Sequence, residues 1–121
     1  MMYTFSFEKM DVWIQAKELT IQIYALTRNY PNDEQFGLVS QMRRASGSVC
    51  CNLAEGSARK TKNDQAHFYT MAYGSLMEVL NLCSISLDLN NLTDLEYQRI
   101  RKRIETISHK IYLLKTSVQR K

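Results

Sequence analysis

Apolar residues recur at alternating steps of three and four along four long segments of the chain. The first runs Val12, Ala16, Leu19, Ile23, Leu26, Tyr30, and the second Leu38, Met42, Ala45, Val49, then Asn52 or Leu53. The third carries two adjacent stripes: Phe68, Ala72, Ser75, Val79, Leu82, Ser86, Leu89, and beside it Tyr69, Tyr73, Leu76, Leu80, Cys83, Leu87. The fourth runs unbroken through Tyr97, Ile100, Ile104, Ile107, Ile111, Leu114 and Val118. At 3.6 residues per turn each set falls on one face of a helix, so the pattern predicts an all-α chain of four amphipathic helices.

The residues between the segments agree with this division. Pro31 comes after Tyr30 and ends the first helix, because its nitrogen cannot donate and its ring disfavours the α region for the residue before it. Asn32 and Asp33 can cap the second helix, and Gly37 leaves its start anywhere from Asp33 to Ser40. Gly56 with Arg59, Lys60 and Lys62 marks a helix end. Thr61 with Asp64 can open the third helix and Asn90-Asn91 close it. Thr93 with Glu96 is a capping box, with Leu92 and Tyr97 placed as its hydrophobic staple. The expected helices are 8–30, 34–57, 62–90 and 94–118, in one domain spanning 1–121. Short connections make consecutive helices antiparallel neighbours, which gives an up-down-up-down four-helix bundle with fraying at 1–7 and 119–121.

The doubled stripe of the third helix, with Met71 and Met77 beside it, is wider than the stripe of about 100° that one face of a surface helix needs. Such a helix is either central and more buried, or it also packs on another subunit. Exposed Trp13, Tyr3, Phe5 and Phe7 near the amino end would enlarge such an interface.

Composition narrows the classes. A chain of 121 residues can bury one core, and one Pro with four Gly excludes a turn-rich β-sandwich or barrel. There is no basic and apolar leader at the start, and no apolar run long enough to span a bilayer. Three cysteines, two of them adjacent, suit free thiols in a reducing cytoplasm, so a cytoplasmic protein with no membrane partner is expected.

Charge sharpens the picture further. The formal net charge is +4, but residues 99–121 hold eight bases and one acid, Glu105, while the rest of the chain is net acidic. On the fourth helix Arg101 and Lys115 flank the apolar stripe on one edge and Arg103 and Lys110 on the other, and Lys102 with His109 point outward. Together with Arg99 these residues form a candidate phosphate-binding face. Few aromatics lie near it, only Tyr97 and Tyr112, so backbone or shape recognition of RNA is expected rather than base stacking.

Catalytic and metal chemistry finds little support. His67 and His109 lie on different helices without ligand-type partners at i+3 or i+4, and no histidine is within local reach of Cys50-Cys51. No metal, cofactor or enzymatic activity is expected. Gly47, Cys50 and Ala54 form a small-residue seam whose counterpart is Gly74-Ser75. Arg43, Arg44, Asn52, Glu55 and Glu78 are candidates for a polar network that fixes helix register: Glu55 lies where the helix dipole disfavours an anion, and Glu78 interrupts an apolar helix.

The run Phe7-Glu8-Lys9-Met10-Asp11-Val12-Trp13, then Pro31, Gly37-Leu38, Gln41, Arg43-Arg44, Ser48, Asn52-Leu53-Ala54-Glu55-Gly56, Arg59 and Gly74-Ser75-Leu76-x-Glu78 resembles a known family. Its founding members are four-helix-bundle proteins encoded in intervening sequences within bacterial 23S ribosomal RNA genes. It is more distantly similar to the accessory proteins of diversity-generating retroelements. The resemblance covers about residues 7–115 and implies a bacterial cytoplasmic protein that assembles as a ring-like homopentamer. It further implies a connection with RNA and, through the retroelement proteins, with a protein partner such as a polymerase. Relatives often carry a proline just before the Asn-x-Ala-Glu-Gly segment; here Cys50-Cys51 stands there, which puts a kink in the second helix in question. Two functions remain open: a non-enzymatic nucleic-acid-binding protein acting through the basic face, with RNA favoured over DNA, or a homo-oligomeric scaffold that docks a protein.

Overall fold

Four helices carry most of the chain in a computed structural model whose described residues are 1–119: α1 (Asp11–Thr27), α2 (Ser40–Ser57), α3 (Lys62–Asp88) and α4 (Asp94–Gln119). Arg120 and Lys121 lie outside the described residues. No strand occurs among those described. Each helix packs on its sequence neighbours, α4 returns to α1, and the most extensive contacts are those of α3 with α2 and α4. One core draws on every helix, with Leu19, Ile23, Met42, Leu53, Leu76, Ile100 and Ile107 fully enclosed.

The predicted stripes are the buried faces, with Leu53 rather than Asn52 completing the second. The doubled stripe of α3 is divided between two neighbours. Ser75 and Ser86 meet side chains of α2, and Tyr73 and Leu87 border grooves shared with α4. Tyr73, Ile85 and Leu89 remain exposed.

Local hydrogen bonds explain the helix ends. Thr61 Oγ1 accepts from Asp64 N–H at 3.1 Å. The capping box at Thr93 is complete: its Oγ1 accepts from Glu96 N–H at 3.1 Å, and the Glu96 carboxylate accepts from Thr93 N–H at 2.9 Å. At the end of α3, Asn90 takes φ 64°, while Asn91 N–H reaches Ser86 O at 2.8 Å and Asn90 N–H reaches Leu87 O at 3.0 Å. This pairing is a Schellman closure, which an asparagine tolerates in the left-handed region.

Three boundaries differ from expectation by three residues or more: α1 starts at Asp11 rather than 8 and ends at Thr27 rather than 30, and α2 starts at Ser40 rather than 34. Residues Ser6–Lys9 form a separate 3-10 turn, closed by the Glu8 carboxylate on Phe5 N–H at 2.8 Å, and extended Met10 divides it from α1. Phe7 and Trp13 are half-buried against each other at 4.9 Å between ring centres, so only Tyr3 and Phe5 of the amino-terminal aromatics are fully exposed. The segment before α2 is a 3-10 turn, Asn32–Glu34, and then a π turn, Gln35–Val39. Gly37 there takes φ −108° and ψ −107°, which interrupts the helix and delays α2 to Ser40. Helix α2 then runs without a break through Cys50-Cys51.

Arg43 ties α2 to the end of α1. Its Nε donates to Thr27 Oγ1 at 3.0 Å, a terminal nitrogen donates to Tyr24 O at 3.4 Å, and the guanidinium lies 4.5 Å from the Tyr24 ring centre. A cation beside the last carbonyls of a helix satisfies acceptors left open there and complements the dipole. Thr27 is buried, and its hydroxyl donates to Ile23 O at 2.7 Å. Thr27→Val should therefore cost about 1–2 kcal/mol in urea unfolding, because Arg43 loses a half-buried acceptor. The double variant Thr27→Val/Arg43→Met should recover part of that loss, and an equal or greater loss would show that this bond contributes nothing.

Candidate nucleic-acid interface

The apolar stripe of α4 holds Ile100, Ile104, Ile107 and Ile111 in the core, which turns its basic residues to the two edges and the outer side. Four exposed salt bridges occur among the described residues, and three of them involve this helix. On the edge beside α1, Lys110 binds Asp11, and Arg103 lies 3.6 Å from Glu18. The Lys110 ammonium holds the Asp11 carboxyl below its ordinary pKa. On the other edge, Arg101 binds Glu105 at 3.2 Å and the Tyr97 hydroxyl at 2.9 Å. Ion pairs this exposed contribute little to stability, so a phosphate can compete for the cation.

Arg99 and Lys102 are different. Both are exposed, and neither side chain has a protein partner among the described residues. They border, with Arg103, a shallow groove of about 440 Å³ between α1 and α4 whose other residues are Gln15, Glu18 and Thr106. The seven predicted residues thus do not form one patch. Arg99, Lys102 and Arg103 converge, Lys110 is farther along the same edge, Arg101 serves a separate edge, and His109 with Lys115 line a groove against α3.

The expected polar network does not assemble within the chain. Arg43 serves α1 through Thr27 and Tyr24. Arg44 and Glu78 are exposed without a partner among the described residues, because both sit on the sides of their helices turned away from the core. Glu55 is also exposed and meets Arg59 one turn later at 3.8 Å, whose guanidinium covers the Phe68 ring at 4.4 Å. Asn52 alone lies in a seam between helices. Its amide donates to Ser48 O at 3.0 Å and Ser48 Oγ at 3.2 Å, and the Ser48 and Ser75 hydroxyls are 3.0 Å apart. Serine at facing seam positions is the sequence signal for this bridge.

The small-residue seam is corrected as well. A Cβ at Gly47 or Gly74 would meet nothing within 4 Å, and Cys50 faces α1, 3.5 Å from Thr20 Oγ1. The close approach of α2 and α3 is at Gly56 instead. Burial pushes the Cys50 thiol pKa up, opposite to what an activated nucleophile needs. No group of three His, Cys, Asp or Glu side chains that could hold a metal occurs among the described residues. No helix among them is long and apolar enough to cross a membrane.

The fold is that of a small all-helical protein whose fourth helix is rich in basic residues. Residues 8–113 match the 23S rRNA-intervening sequence protein family, and the chain belongs to it. A crystal structure of a protein with unknown function from the S23 ribosomal protein family of Bacteroides thetaiotaomicron shares the fold, with a TM-score of 0.77. It is 17% identical, and the alignment covers 86% of this chain and 97% of that one. No curated protein matches the chain.

Proposed function

We propose that this protein is a non-enzymatic RNA-binding protein of the cytoplasm that works as a homo-oligomer and holds phosphates along the outer side of α4. The observation that carries the reading is the exposed pair Arg99 and Lys102, unpartnered among the described residues, beside Arg103. Membership of a family described by 23S rRNA intervening sequences, and a fold neighbour from a ribosomal protein family, favour RNA as the polyanion. Cross-helix pairs support an antiparallel bundle: Asp11 with Lys110 and Glu18 with Arg103 advance along α1 while receding along α4. A rigid bundle holds the cations in fixed register, and an oligomer, a pentamer on the family resemblance, would repeat them around its symmetry axis.

Phosphate binding releases counterions, so affinity for RNA should fall steeply with salt. The double reversal Arg99→Glu/Lys102→Glu should weaken binding about tenfold in a filter or anisotropy assay and flatten the salt slope by about two. Binding that is unchanged in this variant would overturn the assignment of the face.

A second reading rests on the outer side of α1, where Ile14, Ile21 and Tyr24 are exposed. Apolar residues one and two turns apart suit contact with a second protein surface, as a scaffold would need. Co-purification of a partner that survives nuclease treatment would favour it over the RNA reading.

A further inference from the structure

The edge of α4 that faces α3 carries a second feature, distinct from the Arg99–Lys102 groove. Tyr73 of α3 and Tyr112 of α4 border one cleft of about 520 Å³, although they are 39 positions apart in sequence. Its size falls in the range of roughly 300–1,000 Å³ typical of sites for small organic groups. The cleft has an apolar base, since Ile111 at its border is 1% exposed. Both tyrosines are exposed, 43% at Tyr73 and 63% at Tyr112. They make no ring contact with each other, and neither hydroxyl has a protein partner among the described residues.

Charge in the cleft is positive. Lys115 and His109 border it, and neither is paired with a carboxylate among the described residues. Its one acid, Glu105, is engaged by Arg101 at 3.2 Å. Ser108 adds a hydroxyl with no protein partner among those residues. Two unstacked aromatic side chains beside buried Ile111, with an unpaired ammonium at the margin, match one kind of ligand. That ligand is flat, aromatic and linked to an anion, as an unpaired nucleobase is to its phosphate.

We infer that the α3–α4 cleft binds an unpaired nucleotide of single-stranded RNA, with the base packed on Tyr73 and Tyr112 and its phosphate at Lys115. The inference rests on the RNA-binding reading and specifies it: phosphates of the flanking strand engage the cations of α4, and the cleft selects single strands. It replaces the sequence-based expectation of backbone recognition without stacking, because Tyr73, the second ring, comes from α3. A duplex keeps its bases stacked and cannot offer one to the tyrosines. Ser108 can donate or accept, so it does not discriminate between bases, and the site should tolerate any sequence.

The test compares a single-stranded RNA of about 12 nucleotides with a duplex of the same length by anisotropy, using the full chain. The single strand should bind more tightly. Tyr73→Leu and Tyr112→Leu should each weaken single-strand binding about tenfold and leave duplex binding unchanged. Tyr73→Phe and Tyr112→Phe, which keep the rings, should bind as the parent does. Both side chains are exposed, and unchanged helical circular dichroism would show that the variants fold. Equal affinity for the duplex, or leucine variants that bind single strands normally, would overturn the inference. If RNA binding responds to Arg99→Glu/Lys102→Glu but not to the tyrosine variants, the cleft is refuted and the cationic face stands. If neither RNA binds at all, both fall.

Discussion

Raising the pH from 9 to 12 should remove about 6 kcal/mol of folding stability, much of what a domain of this size has. Two buried acids contribute most of it, and Cys50 and Tyr69, whose pKa values burial also raises, add to the fall. Cys83 is fully enclosed in the core, and burial pushes its thiol from the ordinary 9.0 up to about 12. Tyr30, after the end of α1, is 7% exposed, and burial pushes its hydroxyl from 10.0 up to about 12. The Tyr30 hydroxyl has no partner of hydrogen-bonding geometry among the described residues, and the nearby Ser86 hydroxyl offsets only part of the effect of burial. Both groups keep their protons in the folded chain at pH values where the unfolded chain releases them.

The sign comes from that difference. Below pH 9 both states are protonated and stability is independent of these groups. Above it the unfolded state gains by ionising, and stability is lost as pH rises through the folded pKa values. The full effect of burial is about 4 kcal/mol at Cys83 and about 3 kcal/mol at Tyr30, and most of it is expressed by about pH 12. Urea unfolding at a series of pH values should show the fall beginning near pH 9 in the parent. Cys83→Ala should make the fall shallower from pH 9, with the buried Cys50 thiol still contributing there, and Cys83→Ala/Tyr30→Phe should flatten most of the remainder. A double variant with the parent's pH profile would exclude both groups as the cause.

Gly56→Ala should destabilise the protein by about 2–3 kcal/mol, although alanine is ordinarily the better helix former by about 1 kcal/mol. A Cβ there would lie 2.6 Å from Tyr69 Cε1 and 3.0 Å from Phe68 Cβ. The first atom belongs to a ring that is 3% exposed and enclosed by the core. The second sits one bond from the backbone of α3, so neither can retreat cheaply. The substitution must therefore push α3 away from α2 along their closest approach. Thermal unfolding of Gly56→Ala beside Gly47→Ala separates packing from propensity. Gly47 has open space at its Cβ position, and its alanine variant should be as stable as the parent or more so. Equal stability for both variants would mean that the contact at Gly56 relaxes without cost.

These two glycines mark the reach of local reasoning. Both are visible as glycines within or at the end of a helical pattern, and spacing alone assigns Gly47 to a seam. Spacing gives the angular position of a residue on its own helix. It does not give the distance to the facing helix, which depends on side chains such as Tyr69 that come from elsewhere in the chain. Glu55 and Glu78 depart from expectation for the same reason. Their charge suggests buried partners, but both lie on sides of their helices that no other described part of the chain covers. The candidate site is legible in part: periodicity places the cations of α4 on its edges and outer side. Their acidic neighbours Asp11 and Glu18 cannot be read from α4, because they belong to α1.

The four helices, their core faces and the caps at Thr61 and Thr93 are set by residues within a few positions of one another. Helical period and end capping are local, so the amino-acid order is enough to specify them. The start of α2 is not legible, because it depends on the backbone at Gly37, where several conformations are open. The pairing of Tyr73 with Tyr112 across one cleft depends on how α3 and α4 are rotated and offset against each other. That offset is set by the packing of the whole core, in which no single segment carries the information.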